Sequence, residues 1–176
     1  MNNRRNSYYS PFRLASIIFF TCLATPSSFA LEADKNQELL FSANGGTRMS
    51  IEDGVRFVKM SENVIITQGT MEIRGDTATI EIIVSSEEVR KITVVGAPVY
   101  YQQQLDSSDA PVTGSSNSIT FYTDETDGAN VVELVGEAVI ESPTSNFECN
   151  AITYIADQDL IRDTQGPCSG AFNSAN

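Results

Sequence analysis

The chain has 176 residues, with 23 acidic and 11 basic side chains and a formal net charge of −12 at pH 7. A chain this acidic should avoid nucleic acid, and anionic membrane surfaces would repel it. The sequence contains no histidine. This excludes Ser-His and Cys-His nucleophiles, removes the commonest general base near neutral pH and leaves few ways to build a zinc site.

Residues 1–30 are typical of a secretory signal peptide. They begin with a basic segment that holds three arginines, continue with an apolar run at 14–24 and end with the small residues Ser28 and Ala30. The apolar run is shorter than the roughly 20 residues that span a bilayer. We therefore expect cleavage after Ala30, with an uncleaved N-terminal anchor as the alternative.

The rest of the chain has strand signals and almost no helical periodicity. Short alternating apolar and polar runs are separated by Gly, Asp, Asn and Ser turns. The runs lie at 38–42, 47–51, 55–60, 63–67, 70–74, 77–84, 88–95, 99–104, 116–122, 130–134, 137–142, 146–148, 151–155 and 159–165. This spacing predicts one all-β domain, a sandwich or barrel, over residues 31–169. A loop is expected at 105–114, and a disordered tail at 170–176.

Two segments of the sequence are echoed about 75 residues later. SENVI at 61–65 returns as GEAVI at 136–140, and GDTATI at 75–80 returns as CNAITY at 149–154. The echo favours a repeated hairpin-plus-strand unit, with chance similarity among strands as the alternative.

Cys149 and Cys168 remain after the signal peptide is removed. Disulfides persist in exported proteins, so one bridge between these cysteines is plausible, and about 20 enclosed residues would make it worth roughly 3 kcal/mol. Two free thiols are the alternative.

The case for catalysis is weak. The abundant carboxylates occupy outward strand positions or turns, where they keep sheet edges apart, although a glycosidase-type acid pair stays open. The segment DETDG at 124–128 lacks the alternate ligands and the following Glu of a calcium loop, so a hairpin turn is favoured. We expect no cofactor and no metal.

Alternation is clearest at 62–82, where one face of the predicted strands is apolar and the other polar. Taken alone, this pattern favours a filled sandwich interior. A ligand-holding interior is the alternative.

Several motifs together resemble the periplasmic lipopolysaccharide-transport bridge family (LptA/OstA-like). The matching segments are ENVIITQGTMEIRGD at 62–76, GAPVYYQQ at 96–103, Gly114 before SSNSITFY, LVGEAVI at 134–140 and NFECNAITY at 146–154. They cover most of the chain after the signal peptide, in the order that the family has.

The resemblance implies an antiparallel β-jelly roll of two facing twisted sheets, open at both ends. It implies a non-enzymatic carrier that moves lipopolysaccharide from the inner to the outer membrane by shielding lipid A acyl chains inside the jelly roll. By similarity to the family, Leu39, Tyr100 and Phe121 would contact the lipid. Because alternate residues of a strand lie on the same face, the lipid-binding set is extended to the residues that would share the inner face with them: Val64, Ile66, Met71, Ile73, Ile80, Ile119, Leu134, Ile152 and Tyr154.

The resemblance also implies a periplasmic location and partners at both membranes. Unpaired edge strands would dock end to end, with the inner-membrane complex's jelly-roll subunit on one side and the outer-membrane assembly on the other, and self-association is open. A scaffold or adaptor of the same fold that holds no lipid is the alternative function. A periplasmic enzyme acting on glycans is a more distant one.

Overall fold

A computed structural model of the protein describes residue 34 and residues 37–105, 108 and 110–173. The expected signal peptide lies outside these residues. The strands are β1 (Leu40–Ser42), β2 (Thr47–Glu52), β3 (Val55–Gln68), β4 (Met71–Ile83), β5 (Val89–Gln104), β6 (Pro111–Thr123), β7 (Asn130–Glu141), β8 (Ser145–Ile155), β9 (Leu160–Gln165) and β10 (Ser169–Phe172). A 3-10 turn, Ala156–Gln158, joins β8 to β9. No helix within the described residues is long and apolar enough to cross a membrane.

All ten strands belong to one antiparallel sheet in the order β1-β3-β4-β5-β6-β7-β8-β10, with β2 paired to β3 and β9 paired to β8. From β3 to β8, strands that follow one another in the chain also lie side by side in the sheet. The all-β prediction is confirmed.

Each long strand from β3 to β7 is irregular near its middle. The pairing registers shift at residues 61–64 in β3, 74–77 in β4, 95–99 in β5, 115–118 in β6 and 135–138 in β7. Because these shifts lie next to one another across the sheet, they form a line of bends along which the sheet folds over. Many of the breaks between predicted strands are these bends, so two predicted strands often form the two halves of one long strand.

The bends divide the sheet into two layers. The first layer contains β2, β9 and the strand halves that pair with them, such as residues 55–61 of β3. The second layer contains β1, β10 and the other halves, such as residues 64–68 of β3. Opposite the bends, the turns of the two layers face each other, and we call this side the mouth.

The echoed segments lie at the bends. Glu62 and Asn63 have φ of 65° and 51° in β3, and Gly136 and Glu137 have φ of 81° and 52° in β7. Left-handed backbone is uncommon outside glycine and reverses the alternation of side chains. The echo therefore marks the two places where this backbone bends β3 and β7.

The inner faces of both layers form one apolar cluster. Its members include Val58, Met60, Val94, Val99, Tyr101, Val112, Val132, Ala138 and Ile140, each with at most 3% of its surface exposed. Gly114 of the second layer lies against Leu134 of the first, since a Cβ on Gly114 would come within 2.9 Å of Leu134 Cδ2. The missing side chain lets the layers approach each other closely.

Two boundary predictions were wrong. Strand β6 begins at Pro111, inside the expected loop at 105–114, because proline is tolerated as the first residue of a strand. The expected tail at 170–176 instead starts within β10, which pairs with β8 through main-chain hydrogen bonds that do not depend on side-chain type. Residues 174–176 lie outside the described part.

Candidate functional site

Most of the side chains expected to line the interior are buried there. The structure places Val64, Ile66, Met71, Ile73, Ile80, Ile119, Leu134, Ile152 and Tyr154 in the apolar cluster, each with at most 2% of its surface exposed. These residues come from both layers. The alternation of apolar and polar residues therefore identified the inner face of the strands on either side of the bends.

Leu39 and Phe121 lie at the margin of this cluster. Both are partly buried and pack against it. Leu39 directly precedes β1 rather than lying within the first strand, while Phe121 lies near the mouth end of β6. Together with Met71, they are the members of the expected set that line the opening of the interior.

Tyr100 lies on the wrong face for a lining residue. It is 57% exposed on the outer surface, whereas its neighbour Tyr101 is 2% exposed and lies inside. In β5, Ile92 and Val94 point inward before the bend, and Val99 and Tyr101 point inward after it. The register shift between Val95 and Val99 moves the inward-facing positions from even-numbered to odd-numbered residues. Alternation along an unbroken strand cannot anticipate this change.

A cavity of about 680 Å³ lies at the mouth, between the turns of the two layers. Gln68, Met71 and Gln103 line it from the second layer, and the first layer contributes Ile83, Phe121 and Asn130 among others. Leu39 and the aliphatic side chain of Val89 also reach it. This cavity is thus a partly apolar opening that leads to the inner cluster.

A buried polar network lies beside this cavity. The Tyr101 hydroxyl donates to Gln103 Oε1 at 2.7 Å, and Gln103 Nε2 donates to Asp34 Oδ2 at 3.3 Å. Asp34 also accepts two hydrogen bonds from Thr70, one from the main-chain N–H at 2.9 Å and one from the side-chain hydroxyl at 2.6 Å. Burial and the charges of Asp157 and Asp34 raise the pKa of Tyr101, so its hydroxyl stays a donor at neutral pH.

A second network joins the two layers where the mouth approaches the C-terminal end of the sheet. The hydroxyl of the buried Tyr154 donates to Asp159 Oδ1 at 3.0 Å. Asp159 Oδ2 accepts from the Thr144 hydroxyl at 2.8 Å, and the Ser142 hydroxyl lies 3.4 Å away. Burial, together with the Asp159 charge, raises the pKa of Tyr154, which therefore remains protonated and keeps donating.

Sequence reasoning missed Tyr101, Gln103, Asp34 and Asp159. The polar members lie in or beside turns, where Asp and Gln indicate only solvated loops. The spacing of Tyr101 and Gln103, two residues apart and therefore on one face of the strand after the bend, is the one signal that could have indicated an inward polar group.

The segment 124–128 is a turn whose two aspartates form ion pairs that hold the turn in place. Arg162 donates to Asp124 Oδ2 at 2.9 Å and to Asp127 Oδ2 at 3.0 Å, and the Asp124 side chain also accepts from the Thr126 main chain. In the described part of the chain, no cluster of three or more acidic or cysteine side chains is arranged to hold a metal ion.

A disulfide joins Cys149 in β8 to Cys168, just before β10. Cys149 pairs with Ala138 in the second-layer half of β7, and Cys168 lies beside it because Ser169 pairs with Glu148. The link therefore lies on the second-layer side of the bends, where the chain enters β10. It ties the outermost strands at the C-terminal edge to the body of the sheet.

The fold and its interior define a class of protein. One antiparallel sheet folds over an apolar interior, leaves its edge strands unpaired and has a mouth along one side, which is the open β-jelly roll.

Within that class, the chain belongs to the family described as LptA/(LptD N-terminal domain) LPS transport protein, whose sequence model matches residues 47–159. It is 29% identical over 141 residues to the lipopolysaccharide export system protein LptA of Haemophilus influenzae, covering 80% of this chain and 77% of that protein. It is 24% identical over 140 residues to LptH of Pseudomonas aeruginosa, covering 79% of this chain and 75% of that protein.

A solved structure has the same fold. The crystal structure of LptH, the LptA-homologous periplasmic component of the Pseudomonas aeruginosa lipopolysaccharide transport device, superimposes with a TM-score of 0.64 at 19% identity. The superposition covers 80% of this chain and 99% of that chain. The β-jelly roll expected from the sequence is confirmed.

Proposed function

We propose that this protein is a periplasmic carrier that moves lipopolysaccharide from the inner to the outer membrane and shields the lipid A acyl chains between its two layers. The observation that carries the proposal is the continuous apolar cluster between the layers, with a mouth cavity lined partly by Leu39, Met71 and Phe121. Family membership supports the same role.

The energetics suit a carrier. Each methylene moved from water into an apolar interior gains about 0.8 kcal/mol, so a dozen gain on the order of 10 kcal/mol. Relative to a bilayer the transfer is close to neutral. The carrier therefore need only match the membrane's solvation, while an energised partner supplies the direction and the protein itself needs no catalytic residue.

The sugar and phosphate portion of the lipid would stay in water at the mouth. The acidic charge of the chain disfavours tight capture of phosphates. Specific retention therefore rests on the hydrocarbon chains, which the interior can hold without electrostatic help.

The edges of the sheet suit end-to-end docking. At the N-terminal end, Met49 and Ile51 of the edge strand β2 are each 62% exposed, and at the other end Phe172 of β10 is 81% exposed. Edge strands offer unpaired main-chain groups to a partner strand. We propose that the N-terminal edge docks the inner-membrane complex's jelly-roll subunit, that the C-terminal edge docks the outer-membrane assembly, and that copies of this chain can join end to end.

One observation favours the alternative, a scaffold of the same fold that holds no lipid. The inner side chains are closely packed, with side chains such as Ile66 and Ile73 fully buried. A carrier must part its layers on the mouth side to accommodate an acyl chain, whereas a scaffold has no need to.

Photo-crosslinking distinguishes the two. Phe121 and Tyr100 are both aromatic residues of long strands, so either can be replaced by p-benzoylphenylalanine at similar cost in size. A carrier should crosslink to lipopolysaccharide in cells from position 121, at the margin of the interior, and much less from position 100 on the outer face. A scaffold should crosslink to lipid from neither position.

Depletion of the protein in its own cells provides the second test. A carrier predicts that newly made lipopolysaccharide accumulates in the inner membrane. Normal delivery to the outer leaflet after depletion would contradict the carrier function, whatever the crosslinking result.

A further inference from the structure

We propose that Asp159 is a latch that holds the two layers together at the mouth, and that this latch must open before an acyl chain enters that part of the interior. The inference rests on the proposed carrier function and adds to it a residue that controls access.

The position of Asp159 supports this role. It lies in the turn between β8 and β9, on the first layer, while Ser142 and Thr144 lie in the β7–β8 turn, on the second layer. Its carboxylate therefore spans the mouth, with Thr144 Oγ1 2.8 Å from Oδ2. The layers are joined through the main chain at the bends, and this side-chain bond closes them on the opposite side.

The same carboxylate is connected to the interior. Its other oxygen accepts from the hydroxyl of Tyr154, whose side chain is 1% exposed in the apolar cluster. An acyl chain entering beside Tyr154 would displace the ring and pull its hydroxyl away from Asp159. Loading of the interior and opening of the latch are thus coupled through one side chain.

The backbone at Asp159 allows clean substitutions. Its φ of 47° and ψ of 49° are left-handed, a conformation that asparagine and glycine adopt more readily than other residues. Asp159→Asn keeps the shape and removes the charge, while Asp159→Gly removes the side chain. Neither needs a new backbone conformation.

The mouth is not latched along its whole length. The cavity of about 680 Å³ lies where β3, β4 and β5 meet the turns of the first layer, whereas the latch lies toward β7 and β8. A chain that enters through the cavity would have to open the latch to extend toward the C-terminal edge.

The test measures uptake of a fluorescent lauric acid by stopped flow and its affinity by titration. The energy that keeps the latch closed opposes loading, so weakening it should raise the uptake rate and the affinity together. For Asp159→Gly we expect an increase of about five- to ten-fold in both the rate and the affinity, the range for loss of one or two hydrogen bonds to a carboxylate at a partly exposed site. Asp159→Asn should give a smaller increase, because its neutral amide keeps weaker hydrogen bonds to the same partners.

Three controls separate the latch from a general effect. Asp163→Asn removes one exposed charge from β9 and should leave uptake unchanged. Gly54→Ala, which is strained by the φ of +77° in the β2–β3 turn, destabilises the fold outside the apolar interior and should not accelerate uptake to the same extent. Thr144→Val removes the other partner, and the double variant Asp159→Gly/Thr144→Val should be no faster than Asp159→Gly alone, because Asp159→Gly already removes the bond.

The outcomes distinguish the latch from the carrier function. If the unaltered protein takes up the fatty acid and the Asp159 variants match it in rate and affinity, the latch is wrong and the carrier proposal stands. Additive effects in the double variant would also overturn the latch. If the unaltered protein binds neither the fatty acid nor lipopolysaccharide, both proposals fail.

Discussion

Replacing Tyr101 and Tyr100 by alanine, one at a time, tests the fold where the sequence misled. The two residues are adjacent in β5, but Tyr101 is 2% exposed and Tyr100 is 57% exposed. Removing a fully buried aromatic side chain costs about 3–5 kcal/mol. Tyr101→Ala also removes the hydroxyl that donates to Gln103 at 2.7 Å, so we expect a loss of about 4–5 kcal/mol.

The measurement is urea unfolding followed by circular dichroism, with thermal melts alongside. For a domain of this size each kcal/mol lowers Tm by about 2–4 °C, so Tyr101→Ala should lose about 8–20 °C. Tyr100→Ala should change stability by no more than about 0.5 kcal/mol, as an outer-surface substitution. Tyr101→Phe, which keeps the ring, should cost about 1–2 kcal/mol, the price of the lost hydrogen bond alone.

The ranking of the variants decides the matter. If Tyr100→Ala is as destabilising as Tyr101→Ala, the parity change at the bend of β5 is wrong. The original expectation that Tyr100 points inward would then be restored.

Three further predictions test the bends, the disulfide and the outer face. Gly136→Ala should lower the free energy of unfolding by about 2–3 kcal/mol, because its φ is +81° and the new Cβ would lie 2.8 Å from Asn117 Nδ2. The control Gly128→Ala, with a φ of +74° and open space around the new Cβ, should lower it by only about 1 kcal/mol. Equal losses of stability in urea unfolding would argue against the contact with Asn117. Reducing the disulfide, whose cysteines are 19 positions apart, should lower the free energy of unfolding by about 3 kcal/mol, and unchanged unfolding in reductant would refute this. Burial raises the pKa of Glu81, but the hydrogen bonds and charges of Arg90 and Lys91 outweigh burial and hold the pKa below its ordinary value. The ionised Glu81 therefore stabilises the fold above the unfolded-state pKa, and this contribution is lost as the pH falls through the folded-state pKa. Glu81→Gln should accordingly cost about 1 kcal/mol at pH 7. Its stability should converge with that of the unaltered protein in unfolding curves once the pH falls below the folded-state pKa of Glu81.

The strands and the inner faces were largely readable from the sequence because alternation is a local signal. Residues such as Ile73, Ile80 and Ile152 follow it on either side of a bend, so they were correctly expected to lie inside. Tyr100 fails because the bend between Val95 and Val99 resets the alternation, and glycine and proline there indicate only an interruption.

Other features depend on contacts that the sequence does not encode locally. Strand β10 is held by main-chain pairing to β8, and its sequence Ser-Gly-Ala-Phe shows no alternation that would indicate a strand. Asp159 and Thr144 each indicate a turn. Their meeting across the mouth requires the fold itself, since the two turns belong to different layers.

The order of strands in the sheet sets how this architecture can vary. From β3 to β8 every strand is hydrogen-bonded to its neighbours in the chain, and every one contributes a half to each layer. Inserting or deleting one hairpin would therefore lengthen or shorten the sheet by two strands and leave the pairing of the other strands unchanged. The length of a single subunit along the sheet is thus set by its number of hairpins, and proteins of this design can differ in length while keeping an unchanged cross-section.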